Sequence, residues 1–390
     1  MALRIALEYG LQPYPGVLPK GARIAVAPRS AGPPPRLEDL LRAALDGPIA
    51  AEPLERRIPA GGRVLVVVSD ATRTEPRNEM LAALLERMPP ATRLSLAVAT
   101  GTHGRCSVER LGLAPRLAAR VDSWIDHDGA DRDALVRIGE TSRGTPVAVH
   151  RAVLDADLVV ATGCIIPHYF AGYGAGIKAI FPGLGGTVEV RVNHRLKEEP
   201  GACAGVVDGN PCRADLEEVA AMLPCAPFLL NAVVDDDGDA RAAVAGDVLL
   251  AFRAGAALCA PLYRVRERPA RCVVVSGGHP VTASLYQASK LVAAAAPLVA
   301  DGGTVIVVAD CADGVGPLDI VNRGIYDIGI RPRLPADHRV VLVSSLSPEQ
   351  VAPTYCTWAP SLESALADAG GGDEPLVLPR AARLLCEAVA

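Results

Sequence analysis

The chain has 390 residues, half of them apolar, and 39 basic against 44 acidic side chains give a formal net charge of −5. That length is too great for one ordinary core and ample for two domains, and the acidic balance, with no Lys/Arg cluster, argues against nucleic acid as a partner. The best uninterrupted apolar run, Leu291 to Ala300, is half of a membrane span, and Met1-Ala2-Leu3-Arg4 lacks an apolar signal core, so a cytoplasmic protein with no membrane partner is expected.

Short strands are predicted at Arg4 to Glu8 and Arg23 to Ala27, and a helix at Leu37 to Leu45, where apolar residues recur at helical spacing. Arg63 to Ser69 is a near-continuous β-branched run and reads as a buried strand. A helix over Glu79 to Arg87, a strand over Leu94 to Ala99 and a helix over Val108 to Ala119 follow. Further strands are expected at Asp157 to Cys164 and Phe228 to Val234, with helices at Ala214 to Met222 and Asp247 to Val265. Strands alternating with helices imply a largely parallel sheet.

Arg266 to Ala270 is charged and carries a proline, which places a domain boundary there: 1–268 as an N-terminal α/β domain and 271–390 as a C-terminal one. The second set runs through strand Arg271 to Ser276, helix Leu285 to Val299, strands Thr304 to Asp310 and Arg339 to Ser344, helix Leu362 to Ala367 and strand Pro375 to Leu378. The fold class is α/β in two domains, each a parallel-dominated sheet flanked by helices, with the active site expected in the cleft between them. Ten cysteines occur without a C-x-x-C pair, so buried free thiols are expected.

Ligands of open α/β sheets sit beyond the carboxyl ends of the strands. Three successive strands here end in chemistry: Asp70-Ala71-Thr72-Arg73, then Thr100-Gly101-Thr102-His103, then Pro167-His168-Tyr169-Phe170-Ala171-Gly172-Tyr173-Gly174-Ala175-Gly176-Ile177-Lys178. The last stretch fits neither the Walker nor the dinucleotide glycine pattern, although Gly174 and Gly176 allow a ligand to approach the backbone. Asp70 could instead cap a helix, and His103 could serve only a turn. Cys164, His168 and His194 could together hold zinc. In the second domain Tyr286, Gln287 and Lys290 share one helix face, and Trp358 falls in a late loop.

These motifs, in this order and together with Asn193-His194, resemble the nickel-dependent lactate racemase family of 2-hydroxyacid racemases and epimerases, over nearly the whole chain. The resemblance implies an isomerase that works by hydride abstraction and return through a nickel-pincer nucleotide, a pyridinium-3,5-bisthiocarboxylic acid mononucleotide holding nickel. It implies His194 as the protein ligand to nickel and Lys178 as the covalent tether. His103 and His168 take the part of paired acid/base groups, and Arg73 and Lys290 that of the carboxylate grip. Asp70, Tyr286, Gln287 and Trp358 are supporting substrate positions, with Gly172, Gly174 and Gly176 beside the cofactor. The partners it implies are a small 2-hydroxyacid and the enzymes that make the cofactor. The competing readings are a zinc-dependent hydrolase or lyase on Cys164, His168 and His194, and a cofactor-binding protein without chemistry.

Overall fold

The computed structural model describes residues 3–102 and 104–389. The chain forms two compact units, one of residues 30–262 and the other of residues 1–29 together with 263–390.

The 30–262 unit is built on a six-stranded sheet. Its order is Ala240–Asp247, Phe228–Val234, Leu158–Ile165, Arg63–Ser69, Arg93–Ala99, Ser123–Asp126. All neighbours are parallel except the first pair. Both central strands are buried over almost their whole length, as the Val/Leu run of the first and the near absence of polar side chains in the second require. Helices Leu37–Asp46 and Arg77–Arg87 pack Leu41, Leu45, Met80, Leu81 and Leu84 against Val64, Val66, Leu96 and Val160.

The chain lays its strands outward from Arg63–Ser69 to Ser123–Asp126, then returns and adds Leu158–Ile165 on the opposite side of the first strand. Val64 pairs with Leu158 and Val67 with Ala161 across that junction. The order therefore reverses between these two strands, and their carboxyl-end loops leave it in diverging directions. A crevice of this kind is where open α/β sheets take ligands.

The other unit has an eight-stranded sheet with the path Thr357–Trp358, Arg339–Val343, Val299–Val308, Ala270–Gly278, Leu3–Gly10, Gln12–Leu18. Leu376–Leu378 joins it beside Ala270–Gly278 and carries Arg23–Ile24 on its other side. Every pairing is parallel except the N-terminal hairpin. The two-domain, parallel-dominated α/β architecture is as the alternation of strands and helices predicts.

The division of the chain differs from 1–268 and 271–390 in its first 29 residues and in residues 263–268, which all go with the C-terminal unit. Tyr9 and Gly10 pair with Gly277 and Gly278, and Arg23 with Leu376, contacts too distant along the chain for a local pattern to reveal. Arg264–Glu267, at the expected linker, is itself a strand paired with Leu385–Ala388. The helix predicted over 108–119 is broken. Gly112 sits at φ 65 and ends a 3-10 turn, and a separate short helix, Pro115–Ala118, follows. Helix Thr187–Arg195 and the π-helix Ile320–Ile330 had no counterpart in the sequence reading.

Candidate active site

At the reversal point, the loop after Arg63–Ser69 is an Asx turn. Asp70 Oδ1 accepts from the Thr72 amide at 2.8 Å and from the Thr72 hydroxyl, the local bonding that Asp favours in turns. Asp70 is nearly enclosed, whereas Arg73 reaches outward with a side chain 59% exposed and its Nε 3.9 Å from Asp70 Oδ2. Arg73 is thus the group that faces solvent, and Asp70 the one that shapes and orients it.

After Leu158–Ile165, Pro167–His168 pairs antiparallel with Gly172–Tyr173 and folds the motif into a tight loop. The Ala171 amide donates to His168 Nδ1 at 3.2 Å. Phe170 stands at the centre. Its ring meets His168 edge-on at 4.7 Å and His194 at 5.1 Å, and Lys178 Nζ lies 5.8 Å from its centroid. Three residues singled out from sequence thus surround one aromatic ring, which sequence reasoning left without a role. His194 projects from the last turn of Thr187–Arg195. Its neighbour Asn193 is buried and donates to Asp215 Oδ2 at 2.7 Å, and Asp215 also accepts from Thr141. That buried carboxylate anchors the helix turn carrying the imidazole.

Lys178 lies in the 3-10 turn Gly176–Ala179. Burial first, then the charges of Arg213 and Arg73, lower its pKa from 10.5 to about 7. An amine so placed is substantially unprotonated near neutrality and nucleophilic. Lys178 is therefore expected to react with an amine-directed acylating reagent with a midpoint near pH 7, about three units before an ordinary lysine, with only the unprotonated form reacting. Mass-spectrometric labelling across pH checks this, and a midpoint near 10 would contradict it.

The glycines divide. Gly172 has φ +73, and a Cβ there would meet the Val206 carbonyl oxygen at 2.1 Å. Gly176 has φ +68, and a Cβ would strike Phe252 at 2.7 Å. Both positions demand glycine whether or not a ligand is near. At Gly174 a methyl would find only ordinary contacts, the nearest 3.6 Å away. Gly172→Ala is accordingly expected to lower stability by at least about 1–2 kcal/mol from backbone strain alone. Gly174→Ala should melt like the parent, and a loss of cofactor loading in it would report close backbone approach.

A family model for the lactate racemase N-terminal domain matches residues 12–205, and one for the lactate racemase C-terminal domain matches residues 265–327. The chain belongs to the lactate racemase family. It is 28% identical over 361 residues to the lactate racemase of Thermoanaerobacterium thermosaccharolyticum, covering 84% of each. To that of Lactiplantibacillus plantarum it is 26% identical, covering 84% of this chain and 85% of the other. The solved lactate racemase apoprotein from T. thermosaccharolyticum superposes with a TM-score of 0.85 at 25% identity, over 98% of this chain and 100% of that one. A Thermotoga maritima protein of known structure shares the fold, with a TM-score of 0.67 at 18% identity over 92% of this chain and 100% of its own. As a lactate racemase family member the protein is an isomerase of the racemase class.

The zinc reading of Cys164, His168 and His194 is corrected by the geometry. Among the described residues no three His, Cys, Asp or Glu side chains are grouped to hold a metal ion. Cys164 Sγ donates to the Thr74 carbonyl at 3.4 Å, and burial with the nearby Glu75 charge pushes its thiol pKa far up, away from the thiolate a zinc site needs. A lone imidazole suits a metal that brings its remaining donors with it, and a lysine flanked by Arg73 and Arg213 suits an anionic mononucleotide. The donor set fits the pincer group on both counts.

His103 lies outside the described residues. Tyr286, Gln287 and Lys290 belong to the other unit, on helix Leu285–Ala295 with Ser284 as its N-cap. There Lys290 Nζ donates to Gln287 Oε1, and Tyr286 packs beside Gly316. Trp358 is on a short strand rather than in a loop, and its indole donates to the Leu346 carbonyl at 2.9 Å. Beyond Phe170, the sequence reading missed the supports beneath the turn. Asn210 Nδ2 donates to the Phe170 carbonyl at 2.9 Å, and the fully buried Arg213 donates to the Ala171 and Tyr173 carbonyls while lying over the Phe252 ring at 4.0 Å. Asn210 is also the N-cap of helix Pro211–Met222, accepting from the Arg213 amide, but its bond to Phe170 and those of Arg213 reach carbonyls some 40 residues earlier, where sequence spacing gives no signal.

Proposed function

We propose that this protein interconverts the enantiomers of lactate or a closely similar 2-hydroxyacid in the cytoplasm, with a nickel-pincer nucleotide made by dedicated synthesis enzymes. The observation that carries the reading is the gathering of His168, His194 and Lys178 around Phe170 at the point where the strand order reverses, with Arg73 on the adjoining loop. When bound, the group supplies an acceptor for the Cα hydrogen together with its bonding electrons. Lys178 is the attachment amine and His194 the metal ligand. Arg73 offers a planar fork to the substrate carboxylate. His168 and His103 handle the hydroxyl proton, one for each configuration. Lys290, Tyr286, Gln287 and Trp358 are assigned to substrate binding as well.

His168 has a further requirement. With Nδ1 accepting from Ala171, the neutral ring carries its proton on Nε2. To take a hydroxyl proton at Nε2 the ring must exchange that contact and hold its proton on Nδ1. Nitrogen NMR of the substrate-free protein is expected to show the Nε2–H tautomer, shifting when a 2-hydroxyacid binds.

The decisive experiment is metal analysis. Protein produced with the cofactor-synthesis enzymes should hold about one nickel per chain and racemise lactate, while protein produced without them should be colourless and inactive. Stoichiometric zinc in fully active protein would overturn the reading.

A further inference from the structure

The Asp70–Arg73 turn is held from beneath by two buried charges that no part of the proposed chemistry uses. Arg77 is the first residue of helix Arg77–Arg87, which has no side-chain cap. A cation there opposes the helix dipole, so its position needs another cause. Its guanidinium turns back under the loop. Nε donates to the Ser69 carbonyl at 2.9 Å, and Nη2 to the Arg73 carbonyl at 2.9 Å and to that of Asp70. Glu75, its side chain 1% exposed, lies 3.7 Å from Arg77 Nε. One Glu75 oxygen accepts from the Ser69 amide at 2.6 Å, and the other from the Thr162 hydroxyl on the neighbouring central strand.

The pair thereby spans the two strands that flank the reversal point and fixes three carbonyls of the loop between them. The Asx turn of Asp70 constrains residues 70 to 72, and the Arg73 amide closes the turn by donating to the Asp70 carbonyl at 3.1 Å. With the amide side of Arg73 held by that bond, the peptide after Arg73 is held by Arg77 through the Arg73 carbonyl, so the two together fix where the Arg73 side chain starts. Lysine could not reproduce this, because one ammonium cannot present a rigid fork to three carbonyls at once.

We propose that Glu75 and Arg77 are positioning residues that set the placement of the Arg73 guanidinium for the substrate carboxylate. The inference rests on the reading of Arg73 as the carboxylate-binding group, and the test separates the two. Holoenzyme is prepared with Arg73→Met, Arg77→Met, Arg77→Lys, Glu75→Gln and the double change Arg73→Met/Arg77→Met. kcat and KM are measured for both lactate enantiomers, with melting temperatures alongside. Arg77→Met should raise KM about tenfold, the value of a charged hydrogen bond misplaced, with a smaller change in kcat, and Arg77→Lys should fall between it and the parent.

The double variant should have the KM of Arg73→Met alone, because no guanidinium remains to be placed. A double variant whose KM is the product of the two single effects would overturn the proposal, as would an unchanged KM in folded Arg77→Met. If Arg73→Met itself leaves KM unchanged, the carboxylate-binding reading fails first and the proposal with it. Should Arg77→Met fail to fold, the isosteric Glu75→Gln and the conservative Arg77→Lys carry the test through amide exchange at residues 70–73 in the cofactor-free protein. Faster exchange confined to that turn supports the proposal, and unchanged protection refutes it.

Discussion

Racemisation in deuterium oxide is expected to give product with almost no deuterium at Cα, while substrate deuterated at Cα keeps its label and turns over more slowly. The Cα hydrogen of an unactivated 2-hydroxyacid is a very weak acid, and removing it as a proton requires strong stabilisation of a carbanion. The described part of the site offers no carboxylate cluster for a divalent ion of the magnesium type. It offers a solvent-facing guanidinium and an imidazole held beside an aromatic ring. Those groups suit gripping a carboxylate and deprotonating a hydroxyl, and on the proposed function the Cα hydrogen would then depart with its electron pair to an acceptor that does not exchange with water. The planar 2-oxoacid so formed can regain the hydrogen on either face. Mass spectrometry of product at partial conversion is the measurement, and deuterium entering Cα at the rate of turnover would refute hydride transfer.

His168→Ala is expected to slow both directions of interconversion by on the order of a hundredfold or more, the usual cost of deleting a general acid or base. Both directions suffer because the group that accepts the hydroxyl proton of one enantiomer as base must supply it as acid when that same enantiomer is formed in the reverse direction. The same substitution at His103 should behave alike. His168→Ala should differ from a folding defect by keeping the parent melting temperature, since the His168 side chain is only partly buried. Near-parent rates in both would remove the pair from the mechanism.

Much of this site was legible because it obeys a positional rule. Asp70, Arg73 and His168 follow strands whose β-branched runs mark them as buried, and parallel pairing brings all those strand ends to one side of the sheet. What stayed hidden depends on contacts remote in sequence. Arg213 touches carbonyls 40 and 42 residues earlier, and Asp215 reaches Thr141 across 74. Glu75 and Arg77 lie before the helix predicted over Glu79 to Arg87 and draw no notice in the sequence, because what they do rests on loop carbonyls and on Thr162 of another strand. The glycines carry a second cause. Gly172 and Gly176 suggest a ligand cradle, and φ and packing require glycine at both whether or not a ligand is near. The irregular segments, such as the π-helix Ile320–Ile330, carry no periodicity that marks them as helical in advance.

The N-terminal hairpin has its own consequence. Because Leu3–Gly10 closes against Ala270–Gly278, residues 30–262 form an insertion, entered and left by a chain that belongs on both sides to the other unit. During synthesis the inserted part has its whole sheet available once residue 262 has emerged, whereas Tyr9 must wait for Gly277 and Arg23 for Leu376, about 270 and 350 residues later. The gene order therefore imposes a sequence of assembly. A fragment of residues 30–262 is expected to fold alone and show cooperative unfolding, whereas one of residues 263–390 lacks two strands of the main sheet path and a third beside Leu376–Leu378, and should fold only when residues 1–29 are supplied, joined or in trans.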